Sequence, residues 1–408
     1  MSEKEIPFEL KELSNETEFS KIYLGIRKKD GEKFAIKAIS KKLLNDKSHK
    51  RLINNEIYIL SHIKNENVIK YHNYFTDSNY IYLVFEYCNG GDLSNCLKKY
   101  IEKYKKSFSQ EIVQYIMKQI ISGFVYLHSQ KIIHRDINLS NFLVQFITEE
   151  DKKNLNMMKA KILIADFGFA CYLKEGQISE EILGFPLTME PHILNELFKM
   201  KNKIQDKDNE LFGYDEKADI WSLGAITYEL LMGNSLFNTD NIDEIKKRID
   251  KGEYTIPQCI SMEAISFLDS MLKYNPENRL DIKSINNQYF LIKKVSEFHY
   301  LSLKNKNGNN IGNNIILDIR KNNMKDLLNI YNIVDHVPEK EIKSNEIINK
   351  IKKLNLDDEK EKDEFLNNLF DEMNKKSNFI EPLFVPIELS EDNYYYSFDL
   401  VSDIIIKA

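Results

Sequence analysis

Residues 8 to 39 alternate apolar and polar positions and break at turn formers, the pattern of short strands. Phe8 to Leu13 is a brief apolar run, Asp30-Gly31 is a hairpin turn signal, and Phe34-Ala35-Ile36-Lys37 reads as the following strand. The period changes over residues 49 to 63. Leu52, Ile53, Ile57, Leu60 and Ile63 recur at helical spacing along one side, with Glu56 set among them. Residues 68 to 87 return to strands on either side of Thr76-Asp77-Ser78-Asn79, and residues 109 to 128 read as a long helix. Gln145 to Ala160 and Asn195 to Gly213 are charged insertions. An apolar strand closes on Ile164-Ala165-Asp166, Asp219 opens an apolar helix that runs to Met232, and helices continue to about residue 294. Lys304 to Asn314 is rich in Asn, Lys and Gly and predicts a linker. Glu339 to Leu354 and Asp357 to Lys376 are candidate amphipathic helices whose apolar faces include Ile351, Leu354, Phe365, Leu366, Leu369, Phe370 and Met373. Phe379 to Ile406 alternates again and carries Tyr394-Tyr395-Tyr396.

A chain of 408 residues, 42% hydrophobic and 11% aromatic, is long enough for two or three structural units with a sizeable core. Its net charge of -6 argues against nucleic acid as a partner. Nearly all the basic residues are Lys, so the few arginines, Arg135 and Arg279 among them, stand out. Cys88, Cys96, Cys171 and Cys259 show no metal-ligand spacing and predict free thiols in a reducing cytoplasm. The charged N-terminus predicts no signal peptide, and Ser2 does not fit an N-myristoylation site. No apolar run reaches about 18 residues, so no transmembrane segment is expected.

The chemistry concentrates in Ile132-Ile133-His134-Arg135-Asp136-Ile137-Asn138-Leu139-Ser140-Asn141. One short loop there offers Asp136 as a proton acceptor for an attacking hydroxyl and Asn141, five residues on, as a metal ligand. Asp166-Phe167-Gly168 adds a second metal-ligand Asp thirty residues further. An Asp at a strand end is commonly only a turn former, so either motif alone is weak. In this order they resemble the H-R-D-x-x-x-x-N and D-F-G pair of protein kinases. That resemblance covers roughly residues 8 to 294 and implies an α+β, bilobal protein kinase fold. It places the kinase domain at 1–294, with an N-lobe over about 8–87, a hinge at 86–92 and a C-lobe over about 93–294. A C-terminal extension follows at 295–408, read as a linker and then a mostly helical appendage. A module there that binds a regulatory protein is the rival to simple packing on the C-lobe.

The resemblance also assigns roles. Asp136, Lys37 and Glu56 become catalytic residues, with Glu56 orienting Lys37 on the phosphates of ATP, and Asn141 and Asp166 hold Mg²⁺. Ile22, Ala35, Lys37, Glu86, Cys88, Asp92 and Leu143 line the nucleotide site, Phe85 is the gatekeeper, and Asp219 braces the H-R-D backbone. The run Glu86-Tyr87-Cys88-Asn89-Gly90-Gly91-Asp92-Leu93 and the run Asp166-Phe167-Gly168-Phe169-Ala170 look like the ULK family, kinases that initiate autophagy. Several positions depart from the pattern. Asn15 and Thr17 stand at the first two glycine positions of the phosphate loop, Asn138 replaces a Lys, and Cys171 replaces an Arg. In the activation segment Glu181 replaces the phosphorylatable Thr, Phe185 a Ser, and His192 the Glu of A-P-E, the usual partner of Arg279. Glu181 is expected to pair with Arg135 and order the segment without phosphorylation, and Ser179 is the rival phosphosite. Two functions follow: a Ser/Thr kinase acting on protein substrates with ATP and Mg²⁺, or a pseudokinase scaffold that acts through partners.

Overall fold

The computed structural model describes residues 6–12, 20–173, 177–179, 181–204, 213–237, 239, 241–257, 259–307, 309 and 314–334. The N-terminal part is an antiparallel sheet in the order β1-β2-β3-β5-β4 with one helix against it. Its strands are β1 (Phe8–Glu12), β2 (Ser20–Arg27), β3 (Lys33–Ser40), β4 (Tyr71–Thr76) and β5 (Tyr80–Glu86), and α1 (Lys47–His62) follows β3. The two-residue period of β3 divides its side chains between two faces. Phe34, Ile36 and Ala38 enter a small outer core with Phe8, Tyr82 and Val84. Ala35, Lys37 and Ile39 therefore face the other way, beside Phe85, Leu83 and Ile81 of β5. Lys37 points inward for that reason alone. The N-cap Asp46 starts α1 by accepting from the amides of Ser48 at 2.8 Å and His49 at 2.9 Å. The helical period then buries Ile53, Glu56, Ile59 and Leu60 on one side.

The larger part is helical. Its elements are α2 (Leu93–Tyr104), α3 (Gln110–Ser129), β6 (Ile132–Ile133), β7 (Phe142–Phe146), α4 (Glu149–Lys153), β8 (Ala160–Ile164), β9 (Cys171–Tyr172), α5 (Pro191–Lys201), α6 (Glu216–Met232), α7 (Ile242–Lys251), β10 (Glu253–Pro257), α8 (Met262–Met271), α9 (Ile282–Asn286) and α10 (Tyr289–Ile292). The catalytic loop runs between β6, which pairs with β9, and the hairpin β7–β8. Helix α6 runs through the middle of the lobe with Trp221 fully enclosed. The charged insertion at 145–160 is folded rather than loose. Thr148 caps α4, and Asp151 accepts from Thr148 and Asn156.

Beyond residue 294 the structure differs from the expected linker and helical appendage. The chain continues as β11 (Tyr300–Asn305), β12 (Asn314–Asp318), α11 (Asn323–Ile330) and β13 (Tyr331–Val334). Strand β12 pairs antiparallel with β10, and β11 pairs with β13. Leu301, Ile315, Leu317, Ile319 and Leu327 join the core of the helical lobe. Asn323 donates to Asp269 at 2.8 Å, and Lys273 donates to the same carboxylate at 2.6 Å. The Asn- and Lys-rich stretch at 304–314 lies between two strands whose inward side chains, Leu301, Ile315 and Leu317, are few but fully buried. Candidate helices 339–354 and 357–376 and the tail at 379–406 lie outside the described residues. Among the described residues no helix is long and apolar enough to cross a membrane.

Candidate active site

Lys37 on β3 meets Glu56 on α1 because each sits on the inward side of its own element. Its ammonium lies 2.9 Å from Glu56 Oε1 and 2.9 Å from Asp166 Oδ1. Burial lowers the Lys37 pKa, but the carboxylates of Asp166 and Glu56 outweigh it and the net shift is upward. Burial acts first on Glu56 and raises it, partly offset by Lys37. Enclosure also pushes Asp166 up, yet Lys37 outweighs that and holds its carboxyl below the usual range. The Asp166 side chain keeps 47% of its surface open to the cleft. A charged lysine is thus fixed between two carboxylates, one buried and one presented.

The catalytic loop is held from beneath by Asp219 at the start of α6. Its carboxylate accepts the backbone N–H of His134 at 2.9 Å and of Arg135 at 3.0 Å. Arg135 has φ +65°, a strained value for a side-chain-bearing residue that this brace sustains. His134 contacts the carbonyl of Ala165 at 3.0 Å and the buried ring of Phe167 at 5.2 Å, which ties the loop to the Asp166 turn. Asp166 is itself at φ +56°. Asn141 donates from Nδ2 to Asp136 Oδ2 at 2.7 Å and to the Asp136 carbonyl at 2.8 Å, which leaves its amide oxygen for another ligand. Asn138, buried, donates to Asp136 Oδ1 at 3.2 Å and accepts from Ser140 N at 3.0 Å. Burial and the neighbouring Asp166 push the Asp136 pKa up to about 7, against the pull of the two amides.

The nucleotide-site candidates lie on β2, β3, the 86–92 segment and β7. Ile22 pairs in register with Lys37, and Ala35 with Phe85. Leu143 on β7 bridges to Asp92 at the far side of the 86–92 segment. That segment is pinned by Asn89, which accepts from Phe146 N at 2.8 Å and donates to its carbonyl at 3.2 Å. The Glu86 carboxylate accepts from Lys70 N at 2.8 Å and its backbone N–H donates to the Lys70 carbonyl at 3.0 Å, which ties it to the neighbouring chain. Burial pushes the Cys88 thiol up to about 12, so it is an inert wall. Asp92 caps α2, accepting from Asn95 N at 2.8 Å and Asn95 Nδ2 at 2.7 Å. Both its oxygens are engaged before any ribose arrives. Asn15 and Thr17 lie outside the described residues.

The activation segment corrects one expectation. His192 is exposed, and Arg279 is not left without its carboxylate. Glu190, two residues earlier, takes Arg279 Nη2 at 2.9 Å in full burial and caps α5 by accepting from Ile193 N at 3.0 Å. Counting from Pro191 misplaced the acidic residue; the signal that finds it is a Glu at the N-cap position before a helix-starting Pro. Glu181 reaches Arg135 Nη1 with Oε2 at 3.2 Å, the pairing expected from sequence. Ser179 Oγ accepts from the same Nη1 at 2.6 Å. Gly184, at φ +105°, lies so close to the Arg135 carbonyl that any Cβ would collide with it.

A lysine paired with a helix carboxylate, an Asp on a braced loop and an Asp–Asn pair beside it form one constellation across two lobes. The family model for the protein kinase domain matches residues 15–291. The chain belongs to the protein kinase family. Among its relatives, serine/threonine-protein kinase PLK4 of Xenopus laevis is 30% identical over 292 residues, 71% of this chain and 28% of that protein. Calcium-dependent protein kinase 5 of Plasmodium berghei is 32% identical over 290 residues, 70% of this chain and 45% of that protein. Serine/threonine-protein kinase atg1 of Dictyostelium discoideum is 32% identical over 278 residues, 67% of this chain and 37% of that protein. The chain thus spans less than half the length of these relatives. In this kinase domain the matched span holds every candidate site residue but stops short of β11, β12 and β13. Sequence reasoning passed over two residues of the site: Arg51 of α1, whose guanidinium bonds Glu181, and Tyr214, whose hydroxyl bonds the Leu183 carbonyl. Neither belongs to a motif, and each is visible only once the segment is folded.

Proposed function

We propose that this kinase domain transfers the γ-phosphoryl group of ATP to Ser or Thr hydroxyls of protein substrates. The observation that supports the reading best is the joint placement of Lys37 between Glu56 and Asp166 and of Asp136 under two side-chain amides. The residues fit Mg²⁺. Asp166 offers an open carboxylate and Asn141 an unoccupied amide oxygen, a sparse oxygen donor set of the kind Mg²⁺ uses when substrate phosphates complete its shell. Among the described residues no cluster of three or more His, Cys, Asp or Glu converges as in a closed metal cage. Bound Mg²⁺ would neutralise charge on the transferring group. Lys37, steered by Glu56, binds the phosphates. Asp136 orients the substrate hydroxyl and takes its proton as oxygen attacks phosphorus and ADP leaves. The hinge run at 86–93 and the D-F-G-F-A run favour a place near the ULK branch, with a role in autophagy as its natural extension. The four free cysteines suit a reducing, cytoplasmic setting.

A pseudokinase scaffold that binds nucleotide weakly or not at all and acts through protein partners is the second reading, and Asn138 favours it, because no cation stands at that position. Nucleotide binding is the first requirement of the kinase reading. Millimolar ATP with Mg²⁺ is expected to raise the melting temperature, since a ligand of the folded state must stabilise it. EDTA should cancel most of the shift. A shift of zero with ATP and Mg²⁺ would remove the kinase reading and leave the scaffold.

A further inference from the structure

The Arg135 guanidinium is almost fully enclosed, with 1% of its side chain exposed, yet it is not waiting for a phosphate. Nε donates to the Phe169 carbonyl at 2.6 Å. Nη1 donates to Ser179 Oγ at 2.6 Å and to Glu181 Oε2 at 3.2 Å, and the Tyr214 ring lies 5.8 Å from the guanidinium carbon. The other oxygen of the same carboxylate, Glu181 Oε1, bonds Arg51. Arg51 lies on α1 five residues before Glu56. One side chain of the segment therefore touches both the loop that carries Asp136 and the helix that carries Glu56. Asn55, also on α1, donates to the Ala170 carbonyl and makes a second, uncharged tie between the helix and the segment.

Two guanidiniums from different elements hold the one carboxylate from both sides. Ser179 Oγ takes its bond from Arg135 Nη1 as a neutral hydroxyl, so the negative group at this arginine is already supplied by Glu181. We infer that Glu181 is a positioning residue that ties α1 to the catalytic loop through Arg51 and Arg135, so that the active arrangement forms with no phosphate on the segment. The tie is a property of the fold. Only its effect on turnover rests on the phosphoryl-transfer reading above.

The test uses the full chain after phosphatase treatment, with intact mass confirming that no phosphate remains. Hydrogen exchange over residues 47–62 and around Glu181 is compared for wild type, Glu181→Gln, Glu181→Asp and Arg51→Gln, alongside kcat on a Ser/Thr peptide. The unphosphorylated wild type should hold both segments protected. Glu181→Gln should speed exchange in both and lower kcat by roughly fivefold, the worth of a partly screened ion pair. Glu181→Asp should recover most of this, and Arg51→Gln should loosen 47–62 while leaving the segment near Arg135 protected. The inference is overturned if Glu181→Gln leaves exchange in 47–62 unchanged. It is equally overturned if the dephosphorylated wild type exchanges fast and slows only once Ser179 is phosphorylated. If exchange responds as expected but no form transfers phosphate, the tie stands and the kinase reading falls.

Discussion

Asn138 is the residue on which the chemistry turns. A lysine there would place a cation beside the transferring group, whereas Asn138 places a neutral amide against the Asp136 carboxylate at 3.2 Å. It also caps the short turn at Leu139–Asn141 through Ser140 N. The two functions pull in opposite directions. A preorganised charge at a transition state contributes about 10²–10³ in kcat, while a lost cap costs only about 1 kcal/mol. Asn138→Lys is therefore expected to raise kcat by at least tenfold while lowering the melting temperature by roughly 2–4 °C. Steady-state kinetics and a thermal melt on the same preparation read both. Unchanged kcat with intact ATP binding would show that charge at this position does not limit turnover.

At the scale of elements, helix α5 and its cap decide how the activation segment ends. Glu190 and Arg279 are both buried, and the Arg279 guanidinium also lies 5.2 Å from the Trp221 ring and donates to three backbone carbonyls. Removing one partner strands a buried charge, so Glu190→Ala should cost roughly 3–5 kcal/mol in denaturant unfolding. His192→Glu, which restores the acid at the position sequence comparison points to, should change stability by less than about 0.5 kcal/mol because that side chain is exposed. A large stabilisation by His192→Glu would mean that Arg279 prefers the later position.

The same contrast shows what was legible. Lys37 and Glu56 could be read because strand and helix periods fix which way they face, whereas Asp136, Asn141, Asp166 and Asp219 were read from motif order and spacing. Glu190 could not, because an ion pair can move by two residues along the chain and keep its geometry. Asp92 has a second task that the motif did not show, capping α2 through Asn95. Arg51 carried no signal in sequence, since one arginine on a helix face is usually solvated.

For the whole molecule, the segment beyond residue 294 belongs to the helical lobe. Leu301, Ile315, Leu317 and Ile319 are at most 2% exposed. Burying four such side chains is worth roughly 6–12 kcal/mol in gross terms, comparable to the net stability of about 5–15 kcal/mol of an ordinary domain. Tyr274 links this segment to the rest: its N–H donates to the Ile319 carbonyl at 2.9 Å, and Arg320 lies 4.7 Å from its ring. A chain ended at residue 294 should thus lose its cooperative thermal transition or fail to stay soluble. A melting temperature equal to that of the full chain would show that β11, β12 and β13 are dispensable.

The central claim is that Asp136 takes the proton in a working phosphoryl-transfer site. The direct measurement is transfer of labelled γ-phosphate from ATP to a protein substrate by wild type and Asp136→Asn, at pH 8, above the value of about 7 to which burial pushes Asp136. The account predicts measurable transfer by wild type, a loss of about 10²–10⁴ in Asp136→Asn, and unchanged ATP binding. Wild type that binds ATP with Mg²⁺ yet transfers no more label than Asp136→Asn would contradict it.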